Sequence, residues 1–163
     1  MTPKSLLRNK ASTSTLEELS SGGFKLVIDD AAVTDKSAIR RVVLCSGKVY
    51  YDLLEAIAAD KRDDIAVVRV EQLYPIPQQD LSAILQSYPA DCEVAWCQEE
   101  PQNQGAWYQS RHNFIANMQS EQTLFYTGRP SSASPAVGYF SVHLEEQKSL
   151  VIEAITLGAG LQQ

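Results

Sequence analysis

The stretch Arg41-Val42-Val43-Leu44-Cys45-Ser46-Gly47-Lys48-Val49-Tyr50-Tyr51-Asp52-Leu53-Leu54-Glu55-Ala56-Ile57-Ala58 decides the fold. After Arg41 it is apolar and β-branched without polar alternation, the mark of a strand covered on both faces. A Ser-Gly turn follows, and then Leu53, Leu54, Ile57 and Ala58 recur at helical spacing between about Lys48 and Asp60. One strand followed by one amphipathic helix is half of a parallel crossover unit. Outward from it the pattern repeats. Ile65-Ala66-Val67-Val68-Arg69-Val70 is a second strand, Pro75-Ile76-Pro77 breaks the chain, and Leu81, Ile84, Leu85 and Tyr88 mark a second helix. Glu93-Val94-Ala95-Trp96-Cys97 is a third strand, followed by a helix over about 103–118. Thr123-Leu124-Phe125-Tyr126 is a fourth, and the last helix spans about 140–155. Lys25-Leu26-Val27-Ile28 is a candidate edge strand. The alternation predicts an α/β domain with a mostly parallel sheet and helices on both faces, because parallel crossovers are right-handed.

Upstream, residues 1–23 are polar and hold too few apolar side chains for a core of their own. Their one helical signal is Ser14 or Thr15 as a cap with Glu17 or Glu18 three positions on, and Gly22-Gly23 ends it. The predicted organisation is an arm or linker at 1–23 that enters from an upstream domain, an α/β domain at 24–157 and a flexible tail at 158–163.

The chain's 163 residues suit one core that buries roughly 70% of the surface the unfolded chain exposes. Cys45, Cys92 and Cys97 are therefore not needed as staples, and their odd number and apolar settings suggest a reducing compartment. With 20 acidic against 14 basic side chains the formal charge is −6, which disfavours nucleic acid and anionic membranes as partners. No run of about 18 apolar residues occurs and the N-terminus lacks a signal-peptide pattern, so a cytoplasmic protein is expected.

Ligands of parallel sheets collect beyond the carboxyl ends of the strands. Ser46-Gly47-Lys48 stands there at a helix entry, either as a tight turn or as an anion site. It lacks the upstream glycine and the following Ser or Thr of a phosphate-binding P-loop. Glu99 and Glu100 are adjacent and so face different directions, which argues against a shared acid/base role and for partner contact or capping of the next helix. Arg69 and Glu71 lie two residues apart on one side of a strand and suit an interface pair. His112 and His143 have no metal-ligand spacing and receive no catalytic role. No dinucleotide fingerprint and no nucleophile elbow is present. The residues support an α/β domain without a catalytic constellation of its own.

Four stretches together resemble the C-terminal region of the 2-oxoglutarate dehydrogenases. They are Cys45-Ser46-Gly47-Lys48-Val49-Tyr50-Tyr51-Asp52-Leu53, Val68-Arg69-Val70-Glu71-Gln72-Leu73-Tyr74-Pro75, the run from Trp96-Cys97-Gln98-Glu99-Glu100-Pro101 to Gly105-Ala106-Trp107, and Tyr126-Thr127-Gly128-Arg129-Pro130 on to Gly138-Tyr139 with Val142-His143. The opening Met1-Thr2-Pro3-Lys4-Ser5-Leu6-Leu7-Arg8 is similar to the linker entering that region. The resemblance implies a three-layer α/β/α sandwich like the C-terminal domain of transketolase, with about five strands and one antiparallel edge. It also implies a piece of a longer enzyme that decarboxylates 2-oxoglutarate oxidatively and passes the succinyl group to a lipoyl group. Thiamine diphosphate, magnesium and the catalytic histidines would lie in preceding domains, so no catalytic, cofactor or metal residue is assigned here and the piece alone is expected to be inactive. The implied partners are those upstream domains, a homodimer mate and the dihydrolipoyl succinyltransferase component.

The implied role is structural, assembling the dimer and regulating it. Candidate interface residues are Arg69, Glu71, Glu99, Glu100, Gln104 and Trp107, and candidate effector or anion contacts are Ser46, Lys48, Gln72 and Arg129. Some relatives bind acetyl-CoA through basic residues after the position of Gln72 and near that of Phe24. Gln78-Gln79-Asp80 and Gly23-Phe24-Lys25-Leu26 lack most of that charge, which leaves an adenine nucleotide near Gln72 as the expected effector. The stretch from Gly128 to Tyr139 is expected either to be ordered against the preceding domain or the dimer mate, or to be an ordinary surface loop. The alternative function is a stand-alone nucleotide- or anion-binding module built on Ser46-Gly47-Lys48.

Overall fold

The computed structural model describes residues 3–162; Met1, Thr2 and Gln163 lie outside them. In chain order the elements are α1 (Leu16–Ser20), β1 (Val27–Ile28), β2 (Arg41–Cys45), α2 (Val49–Asp60), β3 (Ile65–Val70), α3 (Gln78–Gln86), β4 (Glu93–Pro101), α4 (Trp107–Asn117), β5 (Thr123–Arg129), α5 (Phe140–Ile155) and β6 (Leu161–Gln162). The sheet order is β1-β3-β2-β4-β5-β6, with the four inner strands parallel and both edges antiparallel.

Strand alternation sorts the core into two layers. Val42, Leu44, Val68, Val94, Trp96 and Tyr126 face α3 and α4, where Leu81, Leu85, Trp107 and Phe114 meet them. Val43, Cys45, Val67 and Cys97 face α2 and α5, against Val49, Leu53, Leu150, Val151 and Ala154. α2 stops because Lys61 turns into the left-handed region (φ 52°), and Arg62 N–H returns to the Ile57 carbonyl at 3.1 Å. In the arm, Thr15 and Glu18 close the capping box across α1, and none of the α1 residues is buried. No helix among the described residues is long and apolar enough to cross a membrane.

Among the described residues six strands are present where about five were expected. The addition is β6, inside the stretch expected as a flexible tail, and it makes a second antiparallel edge by pairing with Phe125 and Tyr126. Gly160, at φ 103°, is required by close approach, because a Cβ there would stand 2.7 Å from the Tyr126 carbonyl oxygen. Arg41, at the amino end of β2, holds the segment in place. Its fully buried guanidinium donates to the Thr156 carbonyl, donates to the Ala159 carbonyl at 2.7 Å and pairs with Glu93 at 3.1 Å. At the opposite edge β1 is only two residues long, and the Asp30 carboxylate accepts from Val67 N–H at 2.9 Å in place of a further ladder bond.

Cys45 and Cys97 are register partners on β2 and β4, both fully buried toward α2 and α5, and Cys92 is buried in the other layer. Burial pushes the Cys97 thiol up to about 12 and Cys92 up to about 11, against an ordinary 9.0. Under native conditions near pH 8, where only the thiolate is nucleophilic, none of the three should react with Ellman's reagent within minutes, and all three should react in urea. The same burial makes stability depend on alkaline pH. Thiols freed by unfolding ionise from about pH 9 while the buried ones stay protonated, so stability should hold below 9 and fall as pH rises toward 12. Prompt native labelling would contradict the burial.

Candidate functional site

β2 leads on to β3 in one direction and β4 to β5 in the other, so the chain order reverses between β2 and β4. In open α/β sheets such a switch point opens a crevice at the carboxyl ends. A cleft of about 820 Å³ lies there on the α3/α4 side, bounded by Ser46, Gly47, Leu73, Trp96, Gln98 and Glu100 among others. Its mouth carries Tyr74, 92% exposed and joined to Pro75 by a cis peptide.

Gln98 organises the rim. The side chain is buried, and its Oε1 accepts from Trp96 Nε1 at 2.8 Å and from the Trp107 N–H at 3.0 Å. Its Nε2 donates to the carbonyls of Glu100, Pro101 and Gln104 at 3.2, 3.1 and 2.8 Å. One amide thus satisfies the start of α4 and the turn before it. For this reason the helix expected from about Asn103 begins only at Trp107, and β4 extends past Cys97 with a shift in register between Gln98 and Pro101. Beside it, Gly128 leaves no room for a Cβ, which would meet Tyr126 Oη at 2.6 Å, and that hydroxyl donates to the Arg129 carbonyl at 2.9 Å.

The opposite face of the same strand ends carries the charges. Lys48 Nζ sits 2.8 Å from Asp52 and 3.0 Å from Glu99. Burial alone would lower the Lys48 pKa, but the hydrogen bonds to the two carboxylates outweigh it and raise it. Gln147 Nε2 donates to Asp52 at 2.8 Å and to Glu99 at 3.1 Å, while its Oε1 accepts from Arg129 at 3.3 Å. Arg129 also donates to His143 Nδ1 at 2.9 Å, which makes that ring nitrogen the acceptor, and its Nε lies 3.2 Å from Glu146. Arg69 lies over the Tyr50 ring at 4.4 Å and 3.7 Å from Glu71.

The four expected effector contacts do not converge. Ser46 lines the cleft, Gln72 spends its amide on the Pro75 carbonyl at 2.7 Å, and Lys48 and Arg129 lie in the network across the sheet. Of the expected interface residues, Glu99 belongs to that network and Glu100 projects on the cleft side. Arg69 and Glu71 pair with each other inside the chain, and Gln104 Nε2 donates to the Ser132 carbonyl at 3.1 Å. Trp107 corrects the expectation outright. It is fully buried against Tyr126, ring centroids 5.0 Å apart, and offers no surface to a partner. Ser132 is held reciprocally by Asn103, at 2.9 Å in both directions, so part of the Gly128 to Tyr139 stretch is anchored within the chain. Sequence reasoning missed Gln98, Asp52, Glu146 and Gln147. The Lys48–Asp52 spacing of four on a helix was a usable signal, whereas Gln98 and Gln147 act through partners brought together only by the fold.

The family described as "2-oxoglutarate dehydrogenase C-terminal" matches residues 13–155. Relatives named 2-oxoglutarate dehydrogenase E1 component are 50% identical in Haemophilus influenzae, over 96% of this chain and 17% of that protein, and 52% identical in Cupriavidus necator, over 93% and 16%. That of Azotobacter vinelandii is 49% identical over 96% of the chain and 17% of its own length. The chain thus spans about a sixth of the length of the curated relatives it matches. A solved structure titled "Split gene transketolase, inactive beta4 tetramer" superposes with a TM-score of 0.55 at 14% identity, covering 80% of this chain and 42% of that one. It has the same fold.

Proposed function

Since the chain belongs to the 2-oxoglutarate dehydrogenase C-terminal family, we propose that it works as the carboxy-terminal structural and regulatory domain of a longer, cytoplasmic E1 component. That enzyme would decarboxylate 2-oxoglutarate oxidatively on thiamine diphosphate and magnesium held by other domains, and pass the succinyl group to the lipoyl group of a dihydrolipoyl succinyltransferase. The domain's share would be to brace those domains and the homodimer. The carrying observation is the near-complete alignment of this chain with only about a sixth of each relative.

The donor set of the chain does not suit the cofactor. A diphosphate needs unspent cations, and Lys48 and Arg129 at the strand ends are each committed to carboxylates. Among the described residues no group of three His, Cys, Asp or Glu side chains converges as a magnesium site would need. The same pairing argues against the stand-alone anion-binding module on Ser46-Gly47-Lys48. Given 2-oxoglutarate, thiamine diphosphate, magnesium and an artificial electron acceptor, the 163-residue chain should show no turnover, while the longer protein should turn over and should lose activity when this domain is deleted. Turnover by the short chain would overturn the proposal.

A further inference from the structure

The cleft at the switch point has a chemical preference that follows from strand alternation. The cations at the ends of β2, β3 and β5, namely Lys48, Arg69 and Arg129, all lie on the α2/α5 side and all have carboxylate partners there. The α3/α4 side receives none. No lysine or arginine lines the cleft, whose titratable side chains are the exposed carboxylate of Glu100, the imidazole of His112 and the Tyr74 phenol. Leu73, Ile76 and Trp96 give it an apolar wall, and the exposed Tyr74 ring stands at its mouth. The Gln98 amide already spends both ends on the chain itself. At about 820 Å³ the space falls in the range that takes small organic molecules.

We propose that this cleft binds a small organic cation with an apolar body, of the arylalkylammonium class, and rejects phosphorylated ligands. The body lies against Leu73, Ile76 and Trp96, and the ammonium is held by Glu100 with the Tyr74 ring face close by. The inference rests on the cleft alone and is independent of the enzyme assigned to the longer protein.

Amide spectra of the 163-residue chain test it directly, because Trp96 Nε1–H and the Gly105 amide report from the cleft. Titration with 2-phenylethylammonium should move both signals saturably, while AMP and inorganic phosphate at equal concentration should leave them in place. Glu100→Gln should weaken the ammonium roughly tenfold through loss of a charged hydrogen bond, and leave 2-phenylethanol unaffected. Without any variant, raising salt from 0.05 to 0.5 M should weaken the ammonium and not the alcohol, by screening. Movement of these signals by AMP or phosphate, no saturable response to the ammonium, or equal salt dependence for both probes would each overturn the proposal.

Discussion

Replacing Gln98 by leucine should cost about 3–5 kcal/mol of folding stability, measured as a shift of the urea midpoint, although the substitution keeps the volume close and the site is buried. The amide contacts five groups at once, its two N–H bonds being shared among three carbonyls, and an unmet buried donor or acceptor costs roughly 1–3 kcal/mol. Trp96 Nε1 and the Trp107 N–H lose their acceptor, the carbonyls of Glu100 and Gln104 lose the Gln98 amide, and the Pro101 carbonyl is left with the Gln104 N–H. The bonds to Glu100 and Gln104 are only part-buried, so water recovers some of that loss, and the Pro101 carbonyl keeps its second donor, so the total stays below the plain sum. Gln98→Glu separates the two ends of the side chain. It keeps an acceptor for the tryptophans but turns an oxygen on three carbonyl oxygens, and should destabilise at least as much. If glutamate were tolerated near neutral pH while leucine was not, the carbonyl side of the hub would be dispensable.

The second large effect is expected at Arg41. Arg41→Ala should cost on the order of 3–5 kcal/mol, the range for removing one partner of a buried ion pair. Burial lowers the Arg41 pKa and the Glu93 charge opposes that shift, so the guanidinium is held inside by its partners despite its desolvation. Its Nε has no hydrogen-bond partner, and Arg41→Met, which removes that orphan and keeps most of the volume, should cost less than alanine. In both variants the Thr156 and Ala159 carbonyls lose the guanidinium, and Thr156 is left with the Ala159 N–H alone. Hydrogen exchange at Leu161 should therefore accelerate more than at Val43 in the sheet centre. Uniform acceleration along the sheet would show that Arg41 supports the whole core rather than β6.

The sheet was legible because its strands are continuous apolar runs, and such runs at the spacing of Val42 to Cys45, Ile65 to Val70 and Glu93 to Cys97 leave few alternatives. β6 was not, because Leu161 and Gln162 carry no pattern and are fixed by Arg41, more than a hundred positions upstream. The start of α4 shifted for a similar reason, since no local signal announces that Gln98 will cap the turn before Trp107. At the site, alternation alone separated Glu99 from Glu100. The partners that consume Lys48 and Arg129 could not be foreseen in full, since Glu146 and Gln147 come from α5 at the far end of the chain. Trp107 was misjudged because a tryptophan after a polar loop suits a contact surface as well as a core.

The two short antiparallel edges also govern how this domain can grow. A parallel sheet that ended on β3 and β5 would present rows of free backbone groups to any passing strand. Here each side is closed by a two-residue strand running the opposite way, and on the β1 side the Asp30 carboxylate occupies the next free amide. Each end of the sheet therefore offers a neighbouring copy only a short edge strand to pair with, which disfavours fibrous association through the sheet.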